Sequence, residues 1–449
     1  MTMQSDSSFR AHLPDLNTDR FTAMREQDCY QYAVAFKEKK NPPWLHALYE
    51  HWQGLLSEPF KGITANGMSP RTLALRDKTT FVLTMSLFVG RLQPDLFKLE
   101  DQGIPIEHIV QAAKLVTFLA NKRQRQTLSY HIDSPEWRTW SNPEFLISDK
   151  GIRLDDSDVT LDLREAIINV LRATLSPEGF EKAIGATRIN GFLGDLVQAP
   201  AIMNEFSYNF VLFGSEPSTT RPWGFSFYGH HLCLNVFFYK QQMVLSPWFT
   251  GAEPNIIDSG PYKGTRILHT EEALGLQLMQ SLPQDVQSRV QTYKHMKDAA
   301  MPYGRWNHDD QRHLCGAYRD NRIVPYEGVP VSEFTQDQRD LVDKILHQYL
   351  LYLPEKARLI RLAHIKSLYH ETYFSWIGGF ANEDAFYYRL QSAVVIIEFD
   401  HHSGVFLTNE EPAKFHIHTL LRTPNGGDYG MALRPLIPGA EQNFQWKQR

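Results

Sequence analysis

Cysteine is scarce. Three residues (Cys29, Cys233 and Cys315) scattered over 449 positions cannot make a disulfide framework, and a reducing compartment is expected. Long apolar runs are missing too: no uncharged stretch approaches the roughly 18 residues a membrane span needs. The first twenty residues carry Ser5, Asp6, Ser7, Ser8, Arg10 and Asp15 without an apolar core, so they do not read as a secretory signal. These absences predict a cytoplasmic protein with no membrane partner. Positive charge is also short. The net charge is -5, whereas a nucleic-acid groove needs clustered lysine and arginine. The basic patches Lys37 to Lys40 and Lys122-Arg123-Gln124-Arg125 lie among helical patterns and read as solvated helix faces. Finally, there is no Gly-x-x-x-x-Gly-Lys, no Gly-x-Gly-x-x-Gly, no His-Glu-x-x-His and no Gly-x-Ser-x-Gly, which disfavours nucleotide-dependent and serine-hydrolase chemistry.

What remains is an ordinary globular composition, 42% hydrophobic and 22% charged, in a chain long enough for two substructures or one large domain with a helical annex. Residues 1–25 read as a flexible tail, 26–205 as a mainly helical region, 206–435 as a β-rich region with inserted helices, and 436–449 as a second tail. Helical spacing recurs in Trp44–Leu56 behind Pro43, in Lys78–Leu92, Ile106–Ala120, Leu161–Leu175 and Pro177–Leu196, the last opened by Ser176-Pro177-Glu178. Pro59–Gly67 reads as a turn joining short strands, and Trp137 and Trp140 as a small satellite core. From Phe206 the character changes. Phe206–Phe213, Trp223–Tyr228, His231–Tyr239 and Met243–Phe249 are short aromatic and β-branched runs, as expected of an antiparallel meander. Helical periods return at Thr270–Leu282 and Thr335–Tyr352, and Ala393–Phe399 reads as a buried strand. The expected class is α+β, with a mainly helical N-terminal half packed on an antiparallel sheet that carries the histidine motifs.

Side chains alternate along a strand, so His416 and His418 project to one side and can chelate a metal at little ordering cost. A second group, Gly229-His230-His231-Leu232-Cys233-Leu234-Asn235, lies on the meander. His231 shares a strand face with Cys233 and Asn235, and His230 could join at a bulge after Gly229. Such a set, with a carboxylate from Glu398 or Glu253, would suit a divalent metal ion (Zn, Fe, Mn or Cu are not distinguished). Glu398 and Asp400 are the candidate catalytic carboxylates. Arg389, Arg422, Tyr388 and Asn235 are the candidate substrate contacts, the arginines suiting a carboxylate or phosphate fork. His401-His402 reads as an exposed loop pair. His308, His313 and Cys315 have loosely metal-like spacing within a polar stretch but read as loop residues, and Glu271-Glu272 as the first turn of a helix.

The same stretches resemble the family known as domain of unknown function 3500, found in bacteria and fungi. Pro222-Trp223-Gly224, Gly229-His230-His231-Leu232 with Asn235, and Gly251-Ala252-Glu253-Pro254 look like its central motifs. Phe374-Ser375-Trp376-Ile377-Gly378-Gly379, Tyr387-Tyr388-Arg389 and Ile397-Glu398-Phe399-Asp400 are similar to the next ones. His416-Ile417-His418-Thr419, Arg422-Thr423-Pro424-Asn425-Gly426 and Asp428-Tyr429-Gly430 resemble the last. The likeness runs from about Pro59 to Gly430. It departs at Met431-Ala432-Leu433-Arg434-Pro435, where a Leu-Leu-Arg-x-His-Tyr tail is expected. The resemblance implies that both histidine motifs belong to one pattern. The expectation is a metal-dependent enzyme acting on a small anionic organic molecule, leaning to hydrolysis because no second redox cofactor motif is present. A metal-dependent oxygenase or oxidase, or a non-enzymatic small-ligand-binding protein, are the alternatives.

Overall fold

The computed structural model describes residues 8–39 and 93–440, apart from residues 141, 147, 149, 303, 308, 309 and 321. The expected helices at Trp44–Leu56 and Lys78–Leu92, the turn at Pro59–Gly67 and His308 lie outside the described residues. Among those described, the helices are α1 (Asp19–Glu26), α2 (Cys29–Lys39), α3 (Ile106–Leu119), α4 (Lys122–Leu128) and α5 (Leu161–Thr174). They continue with α6 (Pro177–Leu196), α7 (His269–Ser281), α8 (Gln284–Val290), α9 (Gln336–Tyr349) and α10 (Glu355–Lys366). Local chemistry sets several starts. The Thr160 side chain accepts the Leu163 N–H at the head of α5, and Ser176 accepts the Gly179 N–H before Pro177 in α6. Thr335 and Gln338 form a reciprocal capping box on α9.

The strands are β1 (Ser129–Tyr130), β2 (Ile152–Arg153), β3 (Tyr208–Phe213), β4 (Trp223–Gly229), β5 (Leu232–Tyr239) and β6 (Gln242–Ala252). The second set is β7 (Gln291–Tyr293), β8 (Val329–Pro330), β9 (Tyr373–Gly378), β10 (Phe386–Gln391), β11 (Ile396–His402) and β12 (Ala413–Arg422). All join one sheet in the order β1-β3-β4-β5-β6-β12-β11-β10-β9-β7, with β2 on β3 and β8 on β9. Pairing is antiparallel except for β1 with β3 and β7 with β9. Two meanders, β3 to β6 and β9 to β12, therefore meet along a single seam, β6 against β12.

The sheet has two unlike faces. One is apolar: Phe227, Leu234, Trp248, Tyr388, Phe399 and Ile417 pack with the inner sides of α3, α5, α6, α7, α9 and α10 in the largest core cluster. The other is covered by irregular chain, chiefly around residues 130–150, 293–328 and 423–440, and shares a second core with Trp137, Trp140 and Tyr429. The class is thus mixed α+β, with α1 to α6 preceding β3 and the short β1 and β2 interleaved. No helix among the described residues is long and apolar enough to cross a membrane.

Three expectations change. Ala393–Val395 is not strand: Ser392 N–H donates to the Val395 carbonyl at 2.7 Å, closing a turn, and β11 starts at Ile396. Apolar composition marks burial and does not separate a buried turn from a strand end. Conversely, polar composition does not mark exposure: β11 runs on through His401 and His402, which are buried rather than exposed. Within the expected tail, Phe9 is fully buried against Leu407 and Phe415, and Phe21 and Met24 anchor α1, too few apolar positions to register as a period.

Candidate metal centre

His416 and His418 sit on β12, two residues apart, and point together into the irregularly covered face. His231 reaches the same point from a different device. It is the second residue of the two-residue turn between β4 and β5, where Gly229 pairs with Leu232, and its φ of 60° is left-handed. This corrects its expected place on a strand: the turn, and not alternation, aims the ring. The stacking of His230 on His231, with centroids 3.9 Å apart, follows from the same turn. Between the two ligand sets runs β6 at Gly251, which pairs with His418. A Cβ there would lie 2.8 Å from His231 Cδ2 and 3.0 Å from His418 Cδ2. Only glycine leaves both rings room.

The nitrogen geometry is that of a ligand set. His231 Nε2 and His416 Nε2 lie 3.2 and 3.1 Å from His418 Nε2, and the ligand atoms of all three fall within 4.8 Å of one another. A divalent ion about 2.0–2.1 Å from each nitrogen sets tetrahedral ligand nitrogens roughly 3.3 Å apart. Burial, reinforced by neighbouring imidazoles, holds His231 and His418 well below the usual histidine range. Burial also lowers His416, although Glu253 opposes it. The three are therefore neutral, the form that binds metal.

Glu253, expected as a fourth ligand, stands behind the group. Its Oε1 accepts the N–H groups of Val405, Phe406 and Leu407 at 3.2, 3.1 and 2.9 Å and lies 3.8 Å from His416 Nδ1, the nitrogen turned away from the centre. At that distance it makes no hydrogen bond to the ring and acts on His416 through its charge. His230 shares a 2.8 Å hydrogen bond between its Nδ1 and Asn190 Oδ1 and is held down to about 3 by burial, so it packs beside the trio.

The other expected site residues are engaged within the protein. Glu398 accepts the N–H groups of Leu314 and Cys315 at 2.8 and 2.9 Å and the Tyr387 hydroxyl at 2.6 Å. Asp400 accepts Arg312 Nε at 2.6 Å. Burial alone would raise its carboxyl, but Arg312 with His402 outweighs this and holds it well below the usual range. Each nitrogen of Arg422 has a partner: Nε donates to the Cys315 carbonyl, Nη2 to that of Gly316, and Nη1 to Asp320 and Asp428. Arg389 pairs with Glu327 at 3.0 Å. Asn235 donates to the Pro247 carbonyl at 2.9 Å. Tyr388 lies on the helix-covered face, its hydroxyl donating to the Glu271 carbonyl.

Two further histidines border the trio. The His402 ring lies 3.8 Å from that of His418, with Nε2 3.2 Å from Asp400 Oδ2. Burial pushes it down to about 3 even though Asp400 opposes this. Continuing the alternation Glu398, Asp400, His402 would have found it. His313 comes from the covering segment, and no periodicity points to it.

The molecule is thus a mixed α+β protein with a buried three-histidine centre at the seam of its sheet. Residues 102–431, the main part of the chain, match the family described as protein of unknown function (DUF3500), and the chain belongs to that family. Neither curated proteins nor solved structures give a match.

Proposed function

We propose that this protein is a metal-dependent enzyme in which His231, His416 and His418 hold one divalent ion and the reaction is hydrolysis of a small polar, anionic substrate. The convergence of three neutral imidazole nitrogens in a buried site carries this reading. Neutral ligands leave the full charge on the ion, which favours lowering the pKa of a bound water, the chemistry such an ion supplies. The chain contributes the rest: the Glu253 charge faces His416 from behind, Gly251 gives the rings room, and burial favours the unprotonated imidazoles. Zinc is the ion that fits this chemistry best, since it takes nitrogen ligands tetrahedrally and has no redox role.

Elemental analysis of protein purified without added metal or chelator tests the proposal. Near-stoichiometric zinc is expected, falling to background in His416→Ala and His418→Ala. Stoichiometric iron or copper would redirect the assignment to oxygen chemistry. No metal after reloading would sink it.

A further inference from the structure

We propose that His313 is the residue that faces a ligand bound at this centre, hydrogen-bonding a small anion held on the metal. The inference rests on the metal-centre reading above and deepens it. His313 is fully buried, yet among the described residues neither ring nitrogen has a hydrogen-bond partner. Its ring lies 6.2 Å from that of His418 and 6.0 Å from that of His402, with Phe249 and Tyr387 at 6.3 and 6.4 Å. An imidazole carries a donor or acceptor on each nitrogen, and burying both without partners is costly. The two carboxylates on the same face, Glu398 and Asp400, are already bonded, to Leu314, Cys315 and Arg312.

The sheet fixes His313 from both sides in sequence. On one flank Arg312 donates from Nε to Asp400 Oδ1 and from Nη2 to the His401 carbonyl, each at 2.6 Å. On the other, Leu314 and Cys315 N–H groups donate to Glu398, and Arg422 donates to the Cys315 and Gly316 carbonyls, both at 2.7 Å. Three buried charged side chains of the polar face thus clamp the residues around one imidazole, whose own nitrogens are left open. Such support is what a ligand-contacting group needs to be held in place. His231, His402, His416 and His418 are all buried as well, so a ligand of the centre that His313 meets has to be small, such as azide, formate or the reacting carboxylate of a substrate.

Cobalt(II) loaded into the full-length protein and titrated with azide, read by visible absorption, tests this. Wild type should bind equimolar cobalt and show an azide-dependent spectral change. His313→Ala should keep its cobalt but bind azide about tenfold more weakly, the scale of one hydrogen bond to a charged group, and His313→Gln should recover part of the loss. Azide affinity equal to wild type in both variants would overturn the proposal. So would loss of cobalt in both with the circular dichroism spectrum intact, which would make His313 a metal ligand. Absence of cobalt from wild type would overturn the metal-centre reading itself, and this one with it.

Discussion

The two faces of the sheet are both buried, and they are built on opposite principles. Helices cover one. A helix satisfies its own backbone groups, so the strands beneath need offer only apolar side chains such as Phe227, Trp248 and Phe399. Irregular chain covers the other, and its backbone groups must be met by the strands. Glu398 receives two N–H groups, Arg422 donates to two carbonyls, Gln391 donates to the Val324 carbonyl and Arg389 to that of Pro325. The charge on this face follows from the disorder of pattern in its cover. A buried strand carboxylate is therefore no sign of catalysis by itself.

Breaking the polar face should cost most. Arg422→Met leaves Asp320 and Asp428 buried without their shared partner, and a loss of about 3–5 kcal/mol in urea unfolding is expected. A change under about 1 kcal/mol would mean the network is dispensable and the contrast between the faces is false. On the apolar face, Leu346→Ala in α9, a fully buried position, should cost about 2–5 kcal/mol while zinc stoichiometry stays at the wild-type value. Loss of zinc there would show that the faces do not act separately. Zinc at about a hundred times its Kd should stabilise wild type by roughly 2.7 kcal/mol and leave His416→Ala unmoved; equal stabilisation of both would place the ion elsewhere.

Acidity sharpens the contrast by a smaller increment. His230 and His402 are held down to about 3 in the folded protein, against about 6.5 in an unfolded chain. Between those values the unfolded state binds the protons, so stability falls as pH drops, by up to about 1.4 kcal/mol per pH unit for each histidine. Urea midpoints measured from pH 7 down to pH 5 without metal should decline accordingly. A flat profile would show that these imidazoles are not neutral when buried.

Reading the chain alone reached the helices with caps and strong periods. Pro177–Leu196 is recovered in full with its Ser176 cap, and α3, α5, α7 and α9 lie within a few residues of expectation. It also grouped His231 with His416 and His418, by strand spacing for the pair and by polar company for His231, while the turn that aims His231 stayed hidden because a two-residue turn and a strand start look alike in sequence. Glu398, Asp400 and Arg422 looked like chemistry because an isolated strand does not reveal what covers it. His313 could not be found by period, since its position is set by tertiary hydrogen bonds to residues more than eighty positions away.

The seam between β6 and β12 has a consequence for how the protein is made. His231 and His418 are 187 residues apart in the chain, and the strand bearing two of the three histidines is the last strand of the sheet. During synthesis the first meander can pair before the second exists, yet it holds a single ligand. Closing so long a loop is slow relative to local pairing. Under the proposed metal centre, capture of an ion would therefore follow the pairing of β12 with β6. A chain interrupted before Ala413 would carry most of the described sheet and lack two of the three imidazoles of the centre.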